Sequence, residues 1–150
     1  MATNTANLTI ANAAPANTRA IRDINYIANV ALPNAANTVN TNALDLIQAV
    51  PYPTTQYVIA QVTIAAGNGA NNKNINAVIQ DSADNVTFAN VVGLAAPLMV
   101  SADNNGGGLT SNAFGVLLPP TCRRYIRAQA TGEANGGNAN NANLTLQLLF

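Results

Sequence analysis

Apolar residues fall at every second position over several short stretches of this chain, the period of a strand that turns one face to a core. The clearest case is 56–64, where Val58, Ala60, Val62 and Ile64 share a face and Tyr57 and Ile59 make the other partly apolar. Ile75, Ala77 and Ile79 alternate with Asn76, Val78 and Gln80. Phe114, Val116 and Leu118 alternate up to Pro119-Pro120, 124–130 alternates again, and Leu144, Leu146, Leu148 and Phe150 share one face of the last run. Shorter apolar pieces lie at 44–47, 91–92 and 98–100. Between these runs sit clusters of Asn, Gly and Asp, at 66–74, 81–85 and 103–108, the residue types that turns and loops use. The stretch 81–85 reads as the turn of a hairpin that returns through Val86, Thr87 and Phe88. No long segment has a helical period. About eight short strands between turn signals predict an all-β fold, a β-sandwich or jelly roll.

The chain before Leu44 differs. Asn, Ala and Thr dominate it, and large apolar residues are sparse until Ile21, Ile24, Tyr26 and Ile27. Ile21, Ile24 and Ile27 stand three apart with Ala28 and Ala31 following, the spacing of a helical turn, yet 18–32 also holds β-favouring residues, so both structures stay open. Residues 1–43 are therefore assigned as an extended Asn/Ala-rich N-terminal arm and 44–150 as the sandwich domain. An arm of this composition buries too little apolar surface to offset its ordering entropy, so its order is expected to come from a neighbouring subunit.

Composition narrows the function. A chain of 150 residues makes one domain, and folding buries about 70% of the surface that the unfolded chain exposes. Only 8% of residues are charged and the formal net charge is zero, so the basic footprint of a nucleic-acid or anionic-membrane binder is missing. The N-terminus shows no cleaved export signal and no run long enough to span a membrane, which leads us to expect a protein made in the cytoplasm. One cysteine, Cys122, excludes an intrachain disulfide. About one residue in six is Asn, interleaved with Val, Ile and Leu, as in strands joined by Asn/Gly turns.

Catalytic chemistry finds few candidates. There is no histidine, the commonest general base and metal ligand. Arg123 and Arg124 beside Cys122 would lower a thiol's pKa, but a lone cysteine reads first as a small buried hydrophobe. Asp81 and Asp84 form a close carboxylate pair whose spacing does not match a calcium loop and suits a turn capped by Asx side chains. The glycines at 67–69 and 106–108 open no helix and so lack the setting of a phosphate cradle. Neither an enzyme nor a cofactor is expected. Arg123, Arg124 and Arg127 are half of the basic residues and lie in one strand region. They either present guanidinium groups to a partner's carboxylates and carbonyls or mark a solvated strand edge. By alternation Arg127 shares a face with Tyr125, opposite Arg124 and Ile126.

The order of signals is informative: Leu44-Asp45-Leu46, then 57–62, then 78–84 ahead of Phe88, then Leu118-Pro119-Pro120 and Arg124-Tyr125-Ile126-Arg127. It resembles the small cement, or decoration, proteins on the outer capsid surface of short-tailed bacteriophages, with the likeness running over 44–150. The stretch before Leu44 departs from that pattern. The resemblance implies a β-sandwich or jelly roll, a homo-oligomer (dimer or trimer), the major capsid protein as partner, a place on the outside of the virion, and no nucleic-acid or membrane partner. On this expectation Ile21, Arg22, Ile24, Tyr26 and Ile27 of the arm, with Arg123, Arg124 and Arg127, are the candidate capsid or subunit interface. The rival expectation is a carbohydrate-binding, tail or connector β-sandwich of a phage particle, although with no tryptophan and four tyrosines the rings for sugar stacking are scarce.

Overall fold

The structure, a computed structural model, describes residues 22–47, 58–65, 73–94, 99–101 and 111–149. Among them are ten strands and no helix: β1 Arg22–Ala31, β2 Thr38–Asn40, β3 Leu44–Asp45, β4 Ile59–Ile64, β5 Ile75–Ser82, β6 Ala89–Asn90, β7 Met99–Ser101, β8 Asn112–Leu117, β9 Tyr125–Gly132 and β10 Asn143–Leu149. They form two antiparallel sheets facing each other, a β-sandwich. The first sheet runs β1-β10-β4-β8. In the second, β9 and β5 are the central pair, with β2 and β3 both on the free side of β9 and β6 and β7 both on the free side of β5. The second sheet is thus four columns wide, and its two outer columns are each broken into two short strands.

Inward residues follow the expected alternation. Val58, Ala60, Val62 and Ile64, with Leu144, Leu146 and Leu148, fill the inner face of the first sheet, and Ile75, Ala77 and Ile79, with Ile126, Ala128 and Ala130, that of the second. Leu44, Leu46 and Val91 close the ends of the core. The faces are unequal: leucines of β10 look towards a row on β9 that shrinks from Ile126 through two alanines to Gly132. At Gly132 an added Cβ would overlap the carbonyl oxygen of Ala35, because the β1–β2 connection crosses β9 there. Its own N–H donates to the Asn37 carbonyl oxygen at 3.0 Å, which fixes that approach.

Residues 22–43, assigned from sequence to the arm, contribute β1 and β2 to the sandwich. β1 pairs with β10 from Arg22 opposite Leu149 to Ala31 opposite Asn143, with a bulge between Arg22 and Ile27, and β2 pairs with β9. Of the two structures left open for 18–32, the described part is strand. The helical spacing of Ile24 and Ile27 loses because residues 27–31 pair continuously with β10, and Ala28 is buried with Val30 and Tyr26 packed against the core. Residues 1–21, Ile21 included, lie outside the described residues, as do Tyr57, the loops at 66–72 and 103–108, Leu98 and Phe150.

Two smaller boundaries also moved. β5 continues through Asp81 and Ser82, which pair with Ile126 and Tyr125, so the turn begins at Ala83. Val91 and Val92 lie just beyond β6, where the Val91 N–H still donates to the Ile79 carbonyl oxygen at 3.1 Å.

Gly132→Ala should destabilise the fold by about 2 kcal/mol, within the cost of overpacking a tight site. Denaturant unfolding would register it as a lower midpoint at unchanged slope.

Candidate interaction surface

Of the expected interface residues, three are arginines around the start of β9, and each is engaged within the chain. Asp81 continues the inward series of Ile75, Ala77 and Ile79, which places a carboxylate at the rim of the core with a side chain 4% exposed. Arg123 accounts for it. Its backbone N–H donates to Oδ2 at 2.9 Å, Nε donates to Oδ1 at 2.8 Å, and Nη2 donates to Oδ1 and to the Asp81 carbonyl oxygen. Arg124 forms the second pair, Nε to Asp45 Oδ1 and Nη2 to Oδ2, both at 2.8 Å, with each side chain about two-fifths exposed. Its guanidinium also lies 5.1 Å from the Tyr125 ring centre. Arg127 shares its face with Tyr125, as alternation predicts, and rests 4.0 Å above the Phe88 ring while Nε and Nη2 donate to Gln80 Oε1.

The strand that carries Arg127 is no sheet edge. β9 is paired on both sides, so Arg127 has no edge to protect, while Arg123 and Arg124 precede the strand. Nor do Arg123 and Arg124 activate Cys122. Burial, with the Asp81 charge added, pushes its thiol up to about 12, and the two guanidiniums are spoken for by carboxylates. Asp81 and Asp84 do not converge either. Asp84 turns outward, and its Oδ1 accepts from the N–H groups of Thr87 and Val86 at 2.9 Å each and from the Ser82 hydroxyl at 2.8 Å. This is the Asx-capped hairpin turn, with Asn85 in the left-handed region at φ 59°. Among the described residues no group of acidic, cysteine or histidine side chains has the arrangement of a metal site.

On the arm side, Tyr26 and Ile27 are half-buried within β1, and the backbones of Arg22 and Ile24 lie in the same strand. The structure therefore brings the three arginines together on the second sheet and its loop end, and places the β1 residues on the edge of the first sheet.

The outer faces share cross-strand networks of amides and hydroxyls. On the second sheet, amides form a chain across four strands: Gln129 Nε2 donates to Asn40 Oδ1 at 2.9 Å, Gln80 and Gln129 exchange bonds at 3.4 Å, and Gln80 Nε2 donates to Asn90 Oδ1. Thr38 and Thr131 bond at 2.9 Å in the next row. On the first sheet Gln147 donates to Gln61 and Thr145 to Asn29. The signal was available: polar members of alternating strands are Asn, Gln and Thr almost throughout, and cross-strand register makes them neighbours. Lys73 and Asn74 meet Glu133 at the far end of the sandwich, where Glu133 takes the Lys73 ammonium at 3.2 Å and the Asn74 N–H at 3.0 Å. No buried side-chain nitrogen or oxygen among the described residues lacks a partner.

Asp81→Ala should cost about 3 kcal/mol, because it strands the Arg123 guanidinium and N–H beside the core. Arg124→Ala should shift the midpoint much less, since that pair is half in water. Equal losses would show that burial does not separate the two pairs. Asp84 gives a pH signature. Its carboxyl is held at about 2, below its ordinary 3.8, chiefly by the Thr87 and Val86 N–H groups and then the Ser82 hydroxyl. Its folded pKa is the lower one, so its stabilisation is complete above about pH 4 and is lost as pH falls towards 2. The stability difference between the native chain and Asp84→Asn should shrink over that window and stay constant from pH 5 to 8.

No protein-family model matches this chain, and no curated protein sequence matches it.

Proposed function

We propose that this chain is a structural virion protein that binds the outer surface of a bacteriophage capsid and cements neighbouring major capsid proteins. The observation that carries this is the character of the outer faces: broad sheet surfaces lined by Asn, Gln and Thr, with three of the four described cations neutralised inside the chain. Such a surface exchanges its hydrogen bonds with water for bonds to another protein at little cost in charge desolvation. Many weak copies on a lattice then hold through multivalency.

Strand order supports the finer fold assignment that goes with this role. Taking each broken column of the second sheet as one strand leaves eight, numbered by first appearance along the chain, in the orders 1-8-3-6 and 2-7-4-5. Those orders agree with two interleaved sheets of a jelly roll, which supports that reading. The sugar-binding alternative is disfavoured because Phe88 and Tyr125 already have Arg127 and Arg124 against their rings.

Within this proposal residues 1–21 act as the clasp between subunits. The arm to residue 43 includes β1 and β2, so removing all of it would dismantle both sheets, whereas removing residues 1–21 leaves every described strand in place. Purified chain mixed with shells of the same virus that lack it should bind at a fixed copy number per capsomer and raise the shell's melting temperature. Removal of residues 1–21 should weaken attachment at least tenfold and leave the melting temperature of the free protein unchanged. If the whole chain fails to bind shells, the cement assignment falls; if the truncated chain binds as well as the whole one, the clasp falls.

A further inference from the structure

Arg127 is the one cation among the described side chains with no carboxylate beside it. Lys73 has Glu133, Arg123 has Asp81 and Arg124 has Asp45. In both arginine pairs the carboxylate sits on the edge of the guanidinium formed by Nε and Nη2. At Arg127 a neutral group occupies that edge: Nε and Nη2 donate to Gln80 Oε1 at 2.9 and 2.8 Å. Two of five N–H donors are thereby used. The remaining three, two on Nη1 and one on Nη2, include the end-on fork whose spacing matches the two oxygens of a carboxylate. Phe88 supports one face of the group at 4.0 Å, and Gln129 braces Gln80, so the fork is held in place without a partner. Partial burial lowers the Arg127 pKa, as expected for a cation withdrawn from water without a counter-charge.

Next to this group lies the short outer strand β6, Ala89–Asn90. Val86 in the Asx turn and Val92 just beyond β6 flank it, 80% and 77% exposed. The Val91 N–H turns towards β5, where it bonds the Ile79 carbonyl oxygen. Within β6 this register turns the backbone groups of Asn90 away from β5. This end of the sheet therefore offers two exposed valines and a guanidinium with no described carboxylate beside it.

We propose that this place receives an acidic segment of another protein, with an aspartate or glutamate side chain on the Arg127 fork and apolar side chains against Val86 and Val92. A second copy of this chain fits less well, since its described carboxylates are taken: Asp45, Asp81 and Glu133 by cations and Asp84 by its turn. The proposal does not rest on the capsid assignment and survives or fails separately from it.

The test is an NMR titration of the full ¹⁵N-labelled chain with a capped six-residue peptide that alternates Thr and Val around one Glu, and with its Glu→Gln counterpart. The Phe88 and Asn90 amides and the Arg127 Nε–H should shift with the Glu peptide, with affinity about tenfold above that of the Gln peptide, equivalent to about 1.4 kcal/mol. Arg127→Gln should erase the difference between the peptides, and its unchanged melting temperature would show that the fold is intact. Arg127→Lys should restore part of it, since a point charge replaces the fork. The proposal is overturned by equal affinity for both peptides, shifts confined to other strands, no binding of either, or stronger binding of a glucuronate oligosaccharide at the same resonances. Self-association of the chain that disappears in Arg127→Gln would likewise overturn it, by making the occupant a second copy.

Discussion

The structure depends on closing two sheets over one shared apolar layer, and on the unequal side chains that make the layer close. β10 offers Leu144, Leu146 and Leu148, and β9 answers with Ile126, Ala128, Ala130 and Gly132. Large residues on one side and small ones on the other let the sheets interdigitate at interior packing density. The taper along β9 also decides where the chain crosses the sandwich: the β1–β2 connection passes over Gly132, the one point of that row where a side chain would collide with it. Topology and core composition are one constraint seen twice.

Polar groups obey a matching economy. A carboxylate at the next inward position after Ile79 would be costly alone, and Arg123 meets it with a side chain and a backbone N–H at once. The loop carrying Arg123 is thereby tied to the end of β5, which orders the entrance to β9. Ion pairs also form at Asp45 and Arg124 and at Glu133 and Lys73, so most of the charge among the described side chains is spent within the chain. Amides and hydroxyls are left to meet the outside, and Arg127 stands apart from that rule.

Much of the sandwich was legible because period-two alternation reports directly which residues turn inward, as at 58–64, 75–79 and 144–148. The parts that were not legible have particular causes. β1 was obscured because Ile24 and Ile27 mimic a helical spacing, and because long-range pairing with β10, more than a hundred residues away, cannot be seen locally. β5 ran on past its expected end because Asp81 looks like a turn residue until its partner, forty-two positions later, is known. The arginines were found by their clustering, yet their partners Asp45, Asp81 and Gln80 required the register of three strands. Ile47 was read as strand and instead sits just beyond β3 at φ 64°, where the Asp45 carboxylate takes its N–H.

Cys122 gives the fold an independence from its surroundings. A thiol 5% exposed, with its pKa near 12, exists almost wholly as the unreactive S–H form at neutral pH. The described core contains no sulfur bridge to reduce and no thiolate to oxidise. The folded sandwich should therefore keep the same stability whether glutathione is present or absent, and a protein built this way can pass from a reducing to an oxidising medium without refolding.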